Sequence, residues 1–133
     1  CWAVSGWSSM RLEKQNMANQ YEDEAFPYDT IGTDEAKRLI ESGTRIVDVR
    51  TPEEWNYGHI AEADLVPIQG IYSFGKALQE QDYPHDEEII FVCGSGQRSA
   101  SASEIASLLG FTRVHNLANG MNGWVNRGYP VER

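Results

Sequence analysis

The stretch Ile89-Ile90-Phe91-Val92-Cys93-Gly94-Ser95-Gly96-Gln97-Arg98-Ser99, continuing as ASASEIASLLG to Gly110, decides the fold. EEIIFV at 87–92 is the most apolar run in the chain. It is continuous rather than alternating, the pattern of a strand buried on both faces and therefore central in a parallel sheet. The run stops at a cysteine flanked by Gly94 and Gly96, and a helix is predicted over 99–109. Ile105, Leu108 and Leu109 fall on one face of that helix and Gly110 is its stop. A strand that passes through a tight loop straight into a helix sets Cys93 beyond the carboxyl end of the sheet, where open α/β folds gather their ligands.

Working outward, the same alternation recurs. Thr33 is placed to cap a helix over 33–42 whose first turn holds Asp34 and Glu35, with Gly43 as its stop. RIVDV at 45–49 reads as a β-branched strand, Pro52 opens a short helical turn through Trp55, and ADLVPI at 63–68 reads as a strand closed by proline. A helix over 71–81, a strand at 113–117 and a short helix about Trp124 complete the pattern. Strands separated by helices predict an α/β domain over 28–133, with a doubly wound, mostly parallel central sheet and helices on both faces. Residues 1–27 read as an extension or linker.

Composition narrows the function. The 133 residues carry 11 Lys and Arg against 20 Asp and Glu, a net charge of −9, and 41% are hydrophobic. That suits one globular domain able to bury roughly two-thirds of its unfolded surface. The acidic balance and the lack of any basic run argue against nucleic acid as a partner, because such affinity comes mainly from cations on phosphates. No apolar stretch approaches the roughly 20 residues that span a bilayer. Cys1 and Cys93 are the only cysteines, and His59, His85 and His115 have no metal-ligand spacing, so neither a metal nor another cofactor is expected. A Cys at position 1 ahead of a polar stretch also suits a lipid-anchored terminus. Cytoplasm and, with an acylated Cys1, periplasm or cell envelope both stay open.

Cys93 carries the chemistry. Amides converging from a glycine-rich loop, the positive end of a helix dipole and Arg98 all favour thiolate over thiol, and such settings bring a cysteine pKa from about 8.5 to roughly 3.5–7.5. The dipole supplies only about 0.3–1 kcal/mol, less than one pKa unit, so the loop amides and Arg98 are expected to do most of it. A buried structural cysteine is the ordinary alternative. It leaves the two glycines, Ser95, Gln97 and Arg98 unexplained.

These residues resemble the rhodanese family of sulfurtransferases over about residues 28–131. IVDVRTPEEWNYGHI at 46–60 looks like its first signature, CGSGQRS at 93–99 like its active-site loop, and GFTRVHNLANGMNGWVNRGYPV at 110–131 like its closing signature. The resemblance implies that Cys93 takes sulfane sulfur from a small anionic donor such as thiosulfate and passes it to cyanide, a thiol or a protein. Gly94, Ser95, Gly96, Gln97, Arg98 and Ser99 would then hold the transferred sulfur. It also implies an Arg50–Glu54 ion pair, an Asp48 that orders neighbouring loops, and a packing role for His59; Met121 and Trp124 read as core. Two departures stand out. Ala61 to Leu65 replace the family's usual turn after Gly-His-Ile, and Gly94 stands where an arginine is common, leaving Arg98 the loop's one cation. Residues 51–88 hold nine acidic residues against Lys76, whereas 89–133 hold four arginines against two glutamates, a distribution that favours anions near the loop.

Two other functions fit parts of this pattern. A phosphatase or arsenate reductase also cradles an anion on backbone amides, but tyrosine-type phosphatases place five residues between cysteine and arginine, against four here. A sulfur-carrying or regulatory interaction module would keep the fold without turnover.

Overall fold

The computed structural model describes residues 28–133. The expectations for the 1–27 extension and for Cys1 lie outside the described residues. The elements, in chain order, are β1 (Asp29–Ile31), α1 (Thr33–Glu41), β2 (Arg45–Asp48), α2 (Pro52–Tyr57), β3 (Ala63–Leu65), α3 (Ile71–Glu80), β4 (Ile89–Val92), α4 (Gln97–Leu108), β5 (Val114–Leu117) and α5 (Gly120–Asn126).

The strands form one five-stranded sheet in the order β1-β5-β4-β2-β3, every pair parallel. As its apolar run requires, β4 is the middle strand and all four of its residues are buried. Successive side chains alternate between the faces. Ile89 and Phe91 join Val47, Val49 and Val114 beneath Phe74 and Leu78 of α3 and Ala102 and Ala106 of α4. Ile90 and Val92 join Ile46 and Leu117 on the other face, against Ala36 and Ile40 of α1 and Met121 and Trp124 of α5. The doubly wound α/β architecture is thus observed, with both faces covered.

Several local expectations need correction. In α4 the buried stripe is Ser99, Ala102, Ser103 and Ala106, whereas Leu108 is 81% exposed. Ile105 and Leu109 only flank the core. The stripe has helical spacing but small side chains, which let the helix lie close to the sheet. Ser103 and Ser107 donate to the carbonyls of Ser99 and Ser103 one turn back, at 2.7 and 2.9 Å, so their hydroxyls are satisfied inside the helix. Thr33 caps nothing with its side chain; Gly32 is the N-cap of α1. The capped helix is α2, where Thr51 and Glu54 form a reciprocal capping box. The short edge strand β1 was not anticipated. Strand β3 is shorter than 63–68, although Val66 and Ile68 still donate to the Asp48 and Val49 carbonyls at 2.9 and 3.0 Å.

Candidate functional site

The central strand delivers Cys93 to the carboxyl end of the sheet, and the loop folds back around its sulfur. The Gly96 N–H donates to Cys93 Sγ at 3.0 Å, and the Ser99 hydroxyl oxygen lies 3.4 Å from it. Burial pushes the Cys93 thiol up, but the Ser99 hydroxyl and the N–H groups of Ser99, Gly96 and Ser95 outweigh it and hold the thiol below its ordinary value. The hydroxyl and the amides do most of this work, and Arg98 adds a coulombic attraction between its guanidinium and the thiolate. Cys93 itself is 1% exposed and packs into the core on the α3/α4 side. The sulfur sits on the floor of the cradle.

Of the two loop glycines, only Gly96 is in the left-handed region, at φ +101°, where it is the N-cap of α4. A β-carbon there would make only ordinary contact with the Asn119 amide nitrogen at 3.4 Å and the Leu117 carbonyl oxygen at 3.5 Å, so the backbone conformation is what calls for glycine. At Gly94 a β-carbon would meet only Arg98 Nη2, at 3.3 Å, and Glu54 Oε2, at 4.0 Å. Ser95 is exposed at the loop tip, and exposed Gln97 opens α4.

The ion pairs are not those expected. Arg98 is held in a fork by Glu54, Nη1 to Oε1 at 2.7 Å and Nη2 to Oε2 at 2.9 Å. Arg98 beside it, helped by the Thr51 N–H and hydroxyl and opposed by burial, holds the Glu54 carboxyl down to about 2. Arg50 pairs instead with Asp48, because residues two apart at a strand end share a face. Arg50 Nε and Nη2 reach the Asp48 carboxylate at 2.8–3.0 Å, its backbone N–H donates to Asp48 Oδ1 at 2.9 Å, and Nη2 donates to the Gly58 carbonyl at 2.7 Å. Asp48 thereby ties the end of β2 to the turn after α2, the ordering role expected of it. His59 stacks on Trp55 with ring centroids 3.6 Å apart and stays out of the cradle.

Two residues outside the loop shape it. Gly120 starts α5 at φ +51°, and a β-carbon on it would lie 2.2 Å from the Cys93 carbonyl oxygen and 2.8 Å from Gly94 O. This close approach lets the Met121 and Asn122 N–H groups donate to the Cys93 and Gly94 carbonyls at 2.7 and 3.0 Å. Asn119 precedes it at φ +63°, so the Asn-Gly pair was the visible signal. Asn116, buried on β5, bonds both Ser99 and Gly96; nothing in its spacing marked it. Beside Ser95 opens a cleft of about 450 Å³ lined also by Thr33, Asn119, Asn122, Asn126 and Arg127. Among the described residues no cluster of three or more His, Cys, Asp or Glu side chains is placed to hold a metal, and no helix is long and apolar enough to cross a membrane.

A family model, the Rhodanese-like domain, matches residues 32–127. Over 105 residues the chain is 37% identical to Rhodanese-like domain-containing protein 15, chloroplastic, of Arabidopsis thaliana, covering 73% of this chain and 57% of that one. It spans little more than half the length of that relative. It is 31% identical to the thiosulfate sulfurtransferase GlpE of Actinobacillus pleuropneumoniae over 103 residues, covering 77% of this chain and 91% of that one. Among solved structures, a rhodanese-related protein from Thermoplasma volcanium superposes with a TM-score of 0.67 at 30% identity, covering 79% of this chain and 98% of that one.

Proposed function

The chain belongs to the rhodanese-like domain family, and from that premise we propose that it is a sulfurtransferase working through a persulfide on Cys93. The observation that carries the reading is the convergence of the Gly96 N–H, at 3.0 Å, and the Ser99 hydroxyl, at 3.4 Å, on one sulfur at the end of the central strand.

The Cys93 thiolate attacks the outer sulfur of thiosulfate; a new S–S bond forms as the original one breaks, and sulfite leaves with its electron pair. The outer sulfur stays on Cys93 as a persulfide. An acceptor then attacks that sulfur and restores the thiolate: cyanide leaves as thiocyanate, and a thiol or partner protein leaves as a persulfide. The thiolate form needs no separate base, and the amides and hydroxyl of the cradle favour that form over the thiol. The N–H groups of the loop from Gly94 to Ser99 act toward the terminal sulfur as an oxyanion hole acts toward oxygen. The cleft beside Ser95 gives the acceptor a polar place to dock.

The names of relatives such as GlpE support sulfur transfer as the activity. The phosphatase alternative needs an arginine free to clamp phosphate, and Arg98 is already forked onto Glu54. Intact mass spectrometry tests the reading. Incubation with thiosulfate adds one sulfur to the wild type and none to Cys93→Ser, and cyanide removes it. A wild type that gains nothing but hydrolyses an aryl phosphate overturns it. Persulfide formation without turnover onto any small acceptor indicates the carrier role instead.

A further inference from the structure

Asn116 lies under the cradle on β5, 6% exposed, and touches both arms that reach the sulfur. Its Nδ2 donates to the Gly96 carbonyl at 3.3 Å, and its Oδ1 is 2.5 Å from Ser99 Oγ. The Gly96 carbonyl can only accept, which fixes the amide with Nδ2 toward Gly96 and Oδ1 toward Ser99. A hydroxyl 2.5 Å from a pure acceptor must donate to it. Ser99 has one hydroxyl proton, and Cys93 Sγ, 3.4 Å away, is the other claimant.

We propose that Asn116 is a positioning residue that competes with Cys93 for the Ser99 hydroxyl proton and so sets the balance between the bare thiolate and the other forms of the nucleophile. In the thiol form the bonds run in one direction: the Cys93 S–H donates to Ser99 Oγ, and Ser99 donates to Asn116 Oδ1. When the sulfur ionises, the Ser99 proton turns to it, and the buried Oδ1 is left facing an oxygen lone pair. When a persulfide forms, the charge moves one atom outward and the proton returns to Asn116. The wild-type amide therefore disfavours the bare thiolate relative to the loaded sulfur, and the hydroxyl follows the charge without exchanging its proton with solvent. Asn116→Ala or Asn116→Val removes the competitor, leaving the sulfur the sole acceptor for Ser99.

The charged groups facing Cys93 are accounted for among the described residues. Arg98 of α4 is forked onto Glu54 of α2, and Arg50 after β2 is forked onto Asp48. At the amino end of α5 the residues are Asn119, Gly120, Met121 and Asn122, none of them ionisable.

The inference rests on the sulfur-transfer reading only for its purpose, so its test avoids sulfur donors: the ultraviolet absorbance of the thiolate is followed against pH in the whole protein. Asn116→Ala should lower the Cys93 midpoint by half a pH unit or more, about a threefold gain in thiolate at a fixed pH below both midpoints. Asn116→Val, which suits a strand, should do the same if the alanine variant folds poorly. Asn116→Asp should raise the midpoint, because a charged acceptor holds the proton harder and repels the thiolate. Ser99→Ala should raise it too, and in that background Asn116→Ala and Asn116→Val should lose their downward shift. A midpoint that rises or stays put in both the alanine and valine variants, or a downward shift that survives Ser99→Ala, overturns the inference. A wild type that takes no sulfur from thiosulfate yet titrates as described separates the two claims.

Discussion

Gly120 approaches the Cys93 carbonyl so closely that no side chain fits between them: a β-carbon would stand 2.2 Å from that oxygen. The contact joins the start of α5 to the first residue of the loop, so the cradle is shaped from outside as much as by its own sequence. Gly120→Ala should force α5 away from Cys93, at an overpacking cost of about 1–3 kcal/mol with positive-φ strain added. Circular dichroism should show the unfolding midpoint down by at least about 4 °C. Persulfide formation should fall about tenfold or more, as expected when reacting groups are displaced by an ångström. Unchanged melting and unchanged loading would refute the clamp.

The two loop glycines should respond differently. Gly96→Ala is strained by its φ of +101° and should lose about 1–2 kcal/mol of stability together with much of the thiolate. Gly94→Ala asks only that the far end of the Arg98 side chain shift, and should stay within about 0.5 kcal/mol of wild type. Urea midpoints of the two variants decide whether the loop needs both glycines or one.

Glu54→Gln should release Arg98 toward the mouth of the cradle. The KM for thiosulfate should then fall severalfold, with an advantage that fades as salt is added. The wild-type pair also carries a pH signature. Because folding lowers the Glu54 carboxyl to about 2, its stabilisation is complete above the ordinary carboxylate value and is lost as pH falls from there toward about 2. Urea midpoints across that window should drop more steeply in wild type than in Glu54→Gln.

Cys93 has the same linkage at higher pH. Its folded-state thiol is held below its ordinary value, so the stabilisation from ionisation is complete above that value and is lost as pH falls through the folded midpoint. The stability gap between wild type and Cys93→Ser should therefore shift in favour of wild type as pH rises through the folded midpoint and level off above the ordinary thiol range. A gap that stays constant with pH contradicts a lowered thiol.

Leu108→Lys should change stability by no more than about 0.5 kcal/mol, whereas Ala106→Leu, two residues earlier on the buried stripe, should cost about 1–3 kcal/mol. Thermal melts of the pair distinguish a small-residue seam from the leucine face that hydropathy suggested.

That contrast shows what the sequence made legible. The apolar continuity of Ile89 to Val92 placed the central strand, and the Cys-Gly-x-Gly junction placed the nucleophile, because both are local patterns with one physical solution. The seam of α4 was hidden because hydropathy weighs large residues while the sheet needed small ones. Ion-pair partners were hidden for another reason. Arg98 and Glu54 are 44 residues apart, and only the sheet order brings them together. Asn116 was invisible because a polar residue in an apolar strand acquires meaning only from what lies above it.

The order in which the chain is made adds a consequence. Cys93 emerges from the ribosome before Gly120, Met121 and Asn122, whose amides and bare α-carbon hold its carbonyl in place. Until α5 docks, the Cys93 and Gly94 carbonyls lack the amides that hold them. A nascent chain therefore carries its nucleophile in an unfinished cradle for as long as α5 is still being made.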